Sequence, residues 1–262
     1  MTVFFHEMKQ NVKSLSIWSV SLGAIIFICM LMFPQMKSQM SGIDKMFSNM
    51  GGLSAAFGMD KISYQTVIGF YGVECGSMLS IGGAFFAALI GIDALAKEEA
   101  NHTAEFLLTH PIGRLKIIGE KLLAVVAILV CFNAICMACS IASFAAIGET
   151  VPWKAFLLFH LAQFIMQTEI AFICFGISAF LKRSSMGIGL GLAAVLYFLN
   201  IFINISKNAE FLKYITPFQY SDAAQVIPSS SLDGVLIAIG AGIALVCAGI
   251  GFIKYQSKDI AA

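Results

Sequence analysis

Six stretches of this chain are apolar for long enough to cross a lipid bilayer, and they leave little sequence for anything else. They cover residues 16–33, 75–96, 118–147, 156–181, 186–205 and 235–253. About twenty residues span the hydrocarbon core as a helix, each rising about 1.5 Å. Lipid offers no hydrogen bonds to a bare backbone, so a spanning segment must satisfy its own amides, as a helix does. The runs therefore predict an all-α integral membrane protein with six transmembrane helices. Composition agrees, with 59% hydrophobic and 12% charged residues, where soluble domains carry about 45–50% and about 25%. Lys+Arg number 16 against Asp+Glu 15, a balance that gives no basic surface for nucleic acid. No small-x-small cleavage site follows Phe33, so the first run is expected to stay as a span.

Ten of the sixteen Lys and Arg fall on one side if the N-terminus is inside: Lys9, Lys13, Lys97, Arg114, Lys116, Lys121, Lys182, Arg183, Lys254 and Lys258. Lys37, Lys45, Lys61, Lys154, Lys207 and Lys213 fall on the other. The positive-inside rule then predicts both termini in the cytoplasm. Residues 1–15 are amphipathic, with Phe4, Phe5, Met8, Val12 and Leu15 at helical spacing and Glu7, Lys9, Gln10, Asn11 and Lys13 on the other side. Such a stretch predicts an interfacial helix ahead of the first span. Two long loops, 34–63 and 206–233, are expected on the outer side. In the second, 209–215 reads as a short helix, and its many apolar residues predict contact with the outer leaflet. No loop is large enough for a soluble domain, so 1–262 reads as a single transmembrane domain.

The segment between the second and third runs, KEEANHTAEFLLTHPIGRLKIIGEK at 97–121, is the most charged window. Thr103 can cap a short helix, with Glu105 in its first turn favoured by the helix dipole. Ala104, Leu107 and Leu108 share a face, and Pro111 ends the element. A stiff amphipathic helix clamped between two spans is suited to passing force from an attached protein.

The run Glu98-Glu99, Thr103, Glu105, Leu107-Leu108, Pro111, Arg114 and Lys121 resembles the cytoplasmic signature of the permeases of type-2 ABC transporters. His102 stands where that family often has glycine. The resemblance extends over most of the chain: an N-terminal elbow helix at 1–15, six spans, and a Pro-broken outer segment, ITPFQYSDAAQVI, before the last. It implies a permease domain that pairs with a second permease copy or a paralogue and seats two nucleotide-binding ATPase subunits. Those partners would grip the short coupling helix in the cytoplasmic loop 97–117. Glu98, Glu99, Thr103, Glu105, Leu107, Leu108, Pro111 and Arg114 are then the candidates for orienting or contacting the ATPase. The resemblance also implies a bacterial plasma membrane and export of drugs, antimicrobial peptides, lipid-linked molecules or ions. ATP and Mg would be bound by the partner, and no cofactor by this chain. Consistently, no G-x-x-x-x-G-K-[ST] phosphate loop occurs: Gly113 and Gly119 have the wrong spacing, and Glu120 intervenes before Lys121.

Few other residues suggest chemistry. Glu169 lies inside the fourth run beside Gln163, Gln167 and Thr168. An ionisable group there is costly and faces protein or a watery cavity. It is a candidate for the substrate path or a subunit contact, the alternative being a hydrogen bond to a neighbouring helix. His160 reads as a packed imidazole. Cys136 and Cys139 form a C-x-x-C inside an apolar run, with no nearby histidine or second pair, and read as helix packing instead of a metal or redox site. Gly187 and Gly191 on the fifth run, and Ala238 and Gly242 on the sixth, permit close approach of a helix from this chain or another copy. Two other function classes compete. Glu98-Glu99 with Phe106-x-x-x-His110 partly resembles the CAAX-processing intramembrane proteases, but Thr103 stands where those have Arg. A secondary transporter would show more buried charges than Glu169 alone.

Overall fold

The computed structural model describes residues 2–37, 51–100, 113–182 and 185–258, and these are helical, with no strand among them. Six helices are long and apolar enough to cross a membrane. We label them α1 (Thr2–Leu31), α2 (Val67–Asp93), α3 (Arg114–Ala146), α4 (Trp153–Ser178), α5 (Met186–Ile205) and α6 (Gly234–Ser257). Their starts carry local signals. Thr66 Oγ1 accepts the Gly69 amide at 3.1 Å at the head of α2. Asp233 Oδ1 accepts the amides of Val235 and Leu236 at the head of α6. Each cap satisfies amides that the first helical turn leaves unpaired.

The sequence placed an interfacial helix before the first span, and α1 runs unbroken through both regions. Its inward face carries Val3, Glu7, Ser19, Leu22, Ile26 and Met30, while Phe5, Val12, Ile17 and Val20 point outward. Glu7 thus leaves the polar side it was assigned to and turns into the protein, whereas Lys9, Gln10 and Lys13 stay exposed. The cause is the set of cations waiting for it, described below.

α2 and α4 form the centre. α4 packs against α2, α6 and α3; α5 leans on α2, and α1 lies along α3. Two glycines set these distances. A Cβ at Gly91 would stand 2.3 Å from the carbonyl oxygen of Ala171, and one at Gly176 would stand 2.3 Å from that of Cys247. Lipid tails are as apolar as leucine, so burial does little to drive helices together; close packing and interhelical hydrogen bonds must do so, the latter at about 0.6 kcal/mol each on average. Phe86 meets Phe132 with centroids 4.7 Å apart, and Tyr71 sits among Phe144, Phe156 and Phe159. By contrast Val20, Val195, Phe198, Leu245 and Ile253 face outward, as lipid contact requires. Gly187, Gly191 and Gly242 face open space among the described residues, whereas Gly189 of α5 and Gly240 and Gly251 of α6 pack against their neighbours.

Ion pairs and hydrogen bonds bring the start of α1, the end of α2, the start of α3 and the end of α6 together at one face of the bundle. The other face holds the long connections. There Lys207–Tyr214 forms a 3-10 helix, close to the short helix expected at 209–215. The following residues do not remain on the surface. Phe218–Ser221 and Ala223–Ser229 are short helices whose Phe218, Tyr220, Ala224, Val226 and Ile227 are buried against the bundle. Residues 217–229 therefore re-enter between α2, α4 and α5, while Phe211, Tyr214 and Ile215 stay exposed.

Candidate functional site

The segment 97–117 leaves the bundle at the face where the chain ends meet. Its central part, 101–112, with Thr103, Glu105, Leu107, Leu108 and Pro111, lies outside the described residues. Its two roots are described, and they are bound to the bundle by charge. Lys97, Glu98 and Glu99 follow one another in the short helix Lys97–Ala100. Each pairs with a different element. Lys97 is ion-paired with Glu7 of α1 and donates to Gln10 Oε1 at 2.7 Å. Glu98 is ion-paired with Lys121 of α3. Glu99 pairs with Lys258, just past α6, at 2.8 Å.

Lys121 is the centre of this arrangement. Its side chain is 1% exposed, and its ammonium reaches Glu98, Glu7 Oε1 at 2.8 Å and the carbonyl of Ala94 at 2.8 Å. An ammonium has three donors, and all three are used. Two carboxylates, Glu7 and Glu98, face two ammoniums, Lys97 and Lys121, so the buried group is neutral as a whole. That balance matters because an unpaired charge away from water is far more costly than a paired one. Around it the same face is tied further. Glu120 accepts the amides of Val3 and Phe4 at 3.0 and 3.1 Å, capping α1 with a side chain from α3 and placing negative charge at its positive end. Arg114 donates to the carbonyls of Gln256 and Lys258, both at 3.0 Å, and Lys258 donates to the carbonyl of Leu181 at 2.7 Å.

The structure thus brings together three of the nominated residues, Glu98, Glu99 and Arg114, at the roots of the loop, and pairs them within the chain. The sequence reading placed Glu7 on a solvated side and Lys258 among the cytoplasmic cations, and gave Lys121 a place in the signature run but no partner. Lys121 lies two turns inside α3, deeper than a solvated lysine needs to be, and that depth was the available signal. Glu7 carried none, because its amphipathic setting offered a solvated alternative.

Glu169 lies elsewhere, buried at mid-helix in α4. Tyr220 Oη of the re-entrant segment donates to its Oε2 at 2.8 Å. On the opposite side it presses on α6 where Gly240 leaves room: a Cβ there would stand 2.1 Å from Oε2. Other polar groups of α4 are engaged in the same manner. His160 Nε2 is 2.9 Å from Tyr71 Oη, which is also 2.9 Å from Ser140 Oγ. Gln163 donates to the Ser221 carbonyl at 2.8 Å, and Asn133 donates to Gln167 Oε1 at 2.7 Å. Side chains of α4 thereby stitch it to α2, α3 and the re-entrant segment. No group of three or more His, Cys, Asp or Glu that could hold a metal occurs among the described residues.

A comparison with curated proteins gave no match. A family model described as ABC-2 family transporter protein matches residues 1–260, almost the entire chain. With six spans, a charged loop rooted between the second and third, and a match of that extent, the chain belongs to the ABC-2 transporter family, as a multi-pass membrane permease.

Proposed function

We propose that this permease is the membrane half of an ATP-driven exporter, with its energy supplied by separate nucleotide-binding subunits seated on the loop 97–117. The observation that carries this reading is the rooting of that loop. Three consecutive side chains bind it to α1, α3 and the end of α6, so a push on the loop is shared by several spans at once. Thr103, Glu105, Leu107, Leu108 and Pro111 supply the surface that the ATPase grips. Glu98, Glu99 and Arg114 orient it, since their charges are spent within the chain. ATP and Mg belong to the partner. The loop face and both termini lie in the cytoplasm, as the distribution of Lys and Arg favours, in a bacterial plasma membrane.

The pathway lies between two permeases, either copies or paralogues. The open glycines of α5 and α6 support such pairing, because Gly187, Gly191 and Gly242 meet nothing among the described residues. Closure of the ATPases around ATP draws the two loops together, and the tied helices pass this on to the pathway. The burial of Glu169 inside one chain, against Tyr220 and Gly240, favours a structural hydrogen bond over a place on that path or a contact between subunits.

Co-purification tests the reading. The full chain, extracted in mild detergent from its native membrane, is expected to bring a soluble ATPase with it. Glu105→Lys and Arg114→Glu should each abolish transport while leaving the protein inserted. Recovery of the permease alone, with transport unchanged in both variants, would refute the assignment.

A further inference from the structure

Under the re-entrant segment, α2 and α5 part around a cavity of about 30 Å³. Ser77 and Ser80 of α2, Tyr197 and Asn200 of α5, and Asp222 of the segment line it. The volume suits a particle about the size of one water molecule. Its wall is unlike the rest of the bundle, with five oxygen-bearing side chains from three elements and a single carboxylate.

Those oxygens have been left short of donors. Asp222 Oδ2 accepts from Asn200 Nδ2 at 3.3 Å and Asn204 Nδ2 at 3.0 Å, and its Oδ1 accepts the Ala224 amide at 2.9 Å. A carboxylate offers about four lone-pair sites, so one remains, on Oδ1. No lysine or arginine among the described residues pairs with Asp222. Asn200 is 6% exposed, and its Oδ1 is buried without a hydrogen-bond partner among those residues. Because its amide nitrogen is held by Asp222, that oxygen is fixed as a free acceptor. Ser77 gives its proton to the Val73 carbonyl at 2.5 Å and so presents only lone pairs to the cavity.

We propose that this cavity binds one monovalent cation of sodium size, with Asp222 Oδ1 and Asn200 Oδ1 as its principal ligands and the hydroxyl oxygens of Ser77, Ser80 and Tyr197 around them. The charge decides the class. A hard oxygen set suits an alkali or alkaline-earth ion, and one carboxylate neutralises a single positive charge. A divalent ion would keep a net charge among apolar helices, which is costly. An anion would face a carboxylate and bare lone pairs. A water molecule could donate to Asn200 but brings no positive charge to the carboxylate of Asp222. The site joins α2, α5 and the re-entrant segment, so its ion fixes the spacing of three elements. None of this depends on whether the chain is driven by an ATPase.

The test is direct binding to the full chain in lipid nanodiscs, measured with ²²Na⁺ and ⁸⁶Rb⁺ by scintillation proximity. Saturable ²²Na⁺ binding that NaCl displaces and choline chloride does not is expected, and saturable binding of ⁸⁶Rb⁺ alone would overturn the sodium size. Asp222→Asn, in which asparagine can still cap the helix Ala223–Ser229, should weaken it at least tenfold. Asn200→Ala should do the same. Ser80→Ala, whose hydroxyl makes no hydrogen bond to the other described residues, should weaken it severalfold and serves if the other variants do not fold. Absence of saturable binding of either ion would overturn the proposal and leave the cavity to water. Wild-type affinity in Asp222→Asn, or in Ser80→Ala where that is the variant that folds, would overturn it as well.

Discussion

Replacing Lys121 by methionine keeps most of the stem and removes the charge at the centre of the loop anchor. The lost ammonium bonds three groups, Glu7, Glu98 and the Ala94 carbonyl. Lys97 still pairs with Glu7, but Glu98, with its side chain 13% exposed, loses its ion pair to Lys121. Breaking a buried pair by removing one partner costs about 3–5 kcal/mol, because the other charge remains away from water. At about 2–4 °C per kcal/mol for a chain of this size, the unfolding midpoint should fall by roughly 6–20 °C. Intrinsic-fluorescence or thiol-reactive melting of the purified permease in one detergent measures it. Lys37→Met is the control: it removes an ammonium from the Lys37–Glu149 pair, whose side chains are 52% and 32% exposed, and exposed pairs contribute only about 0–1 kcal/mol. Adding Glu98→Gln to Lys121→Met should recover part of the loss by removing the carboxylate that faced the lost ammonium. If Lys121→Met melts no lower than Lys37→Met, the buried anchor does not hold the loop.

Three further outcomes follow from the same geometry. Glu99→Lys should lower the unfolding midpoint by setting two ammoniums against each other, and the exchange Glu99→Lys with Lys258→Glu should restore part of it; no recovery on the same melting curve would count against the pair. Tyr220→Phe removes the hydroxyl that donates to Glu169 and should destabilise by about 1–3 kcal/mol, while Gly240→Ala should cost as much or more by driving a methyl into the carboxylate; wild-type melting of both would detach Glu169 from the packing of α4. For orientation, cysteines placed at Lys61 and Lys116 should react with a membrane-impermeant maleimide from opposite sides, Lys61 from outside intact cells and Lys116 only after lysis; the reverse pattern would invert the topology.

The helices were legible because each is a property of a continuous window. A run such as 186–205 must span or aggregate, and α5 occupies it residue for residue. Boundaries shifted where charged residues continue a helix beyond its apolar part: α3 starts at Arg114 rather than 118, and α1 absorbs the amphipathic first fifteen residues. Side-chain partnerships were not legible. Glu98 and Glu99 read equally well as a solvated pair, and only the fold brings Lys121 and Lys258 to them. The depth of residues 217–229 was hidden for a similar reason. Their apolar content predicted a greasy surface, but lipid and a protein cleft make the same demand on composition. The site of the central contact, Thr103 to Pro111, was marked by resemblance and lies outside the described residues, so its geometry adds nothing to that reading.

The anchor at the chain-end face divides the helices into two classes. α1, α2, α3, α4 and α6 each have an end, or a residue just beyond it, bonded to a neighbour there, through Glu7, Ala94, Lys121, Leu181 and Gln256 respectively. Among the described residues α5 has no such bond at that face and is held there by its packing on α2. A tug delivered at the loop root therefore travels through five members as one block, and the loosest joint in the frame is the seam along which α5 can slide.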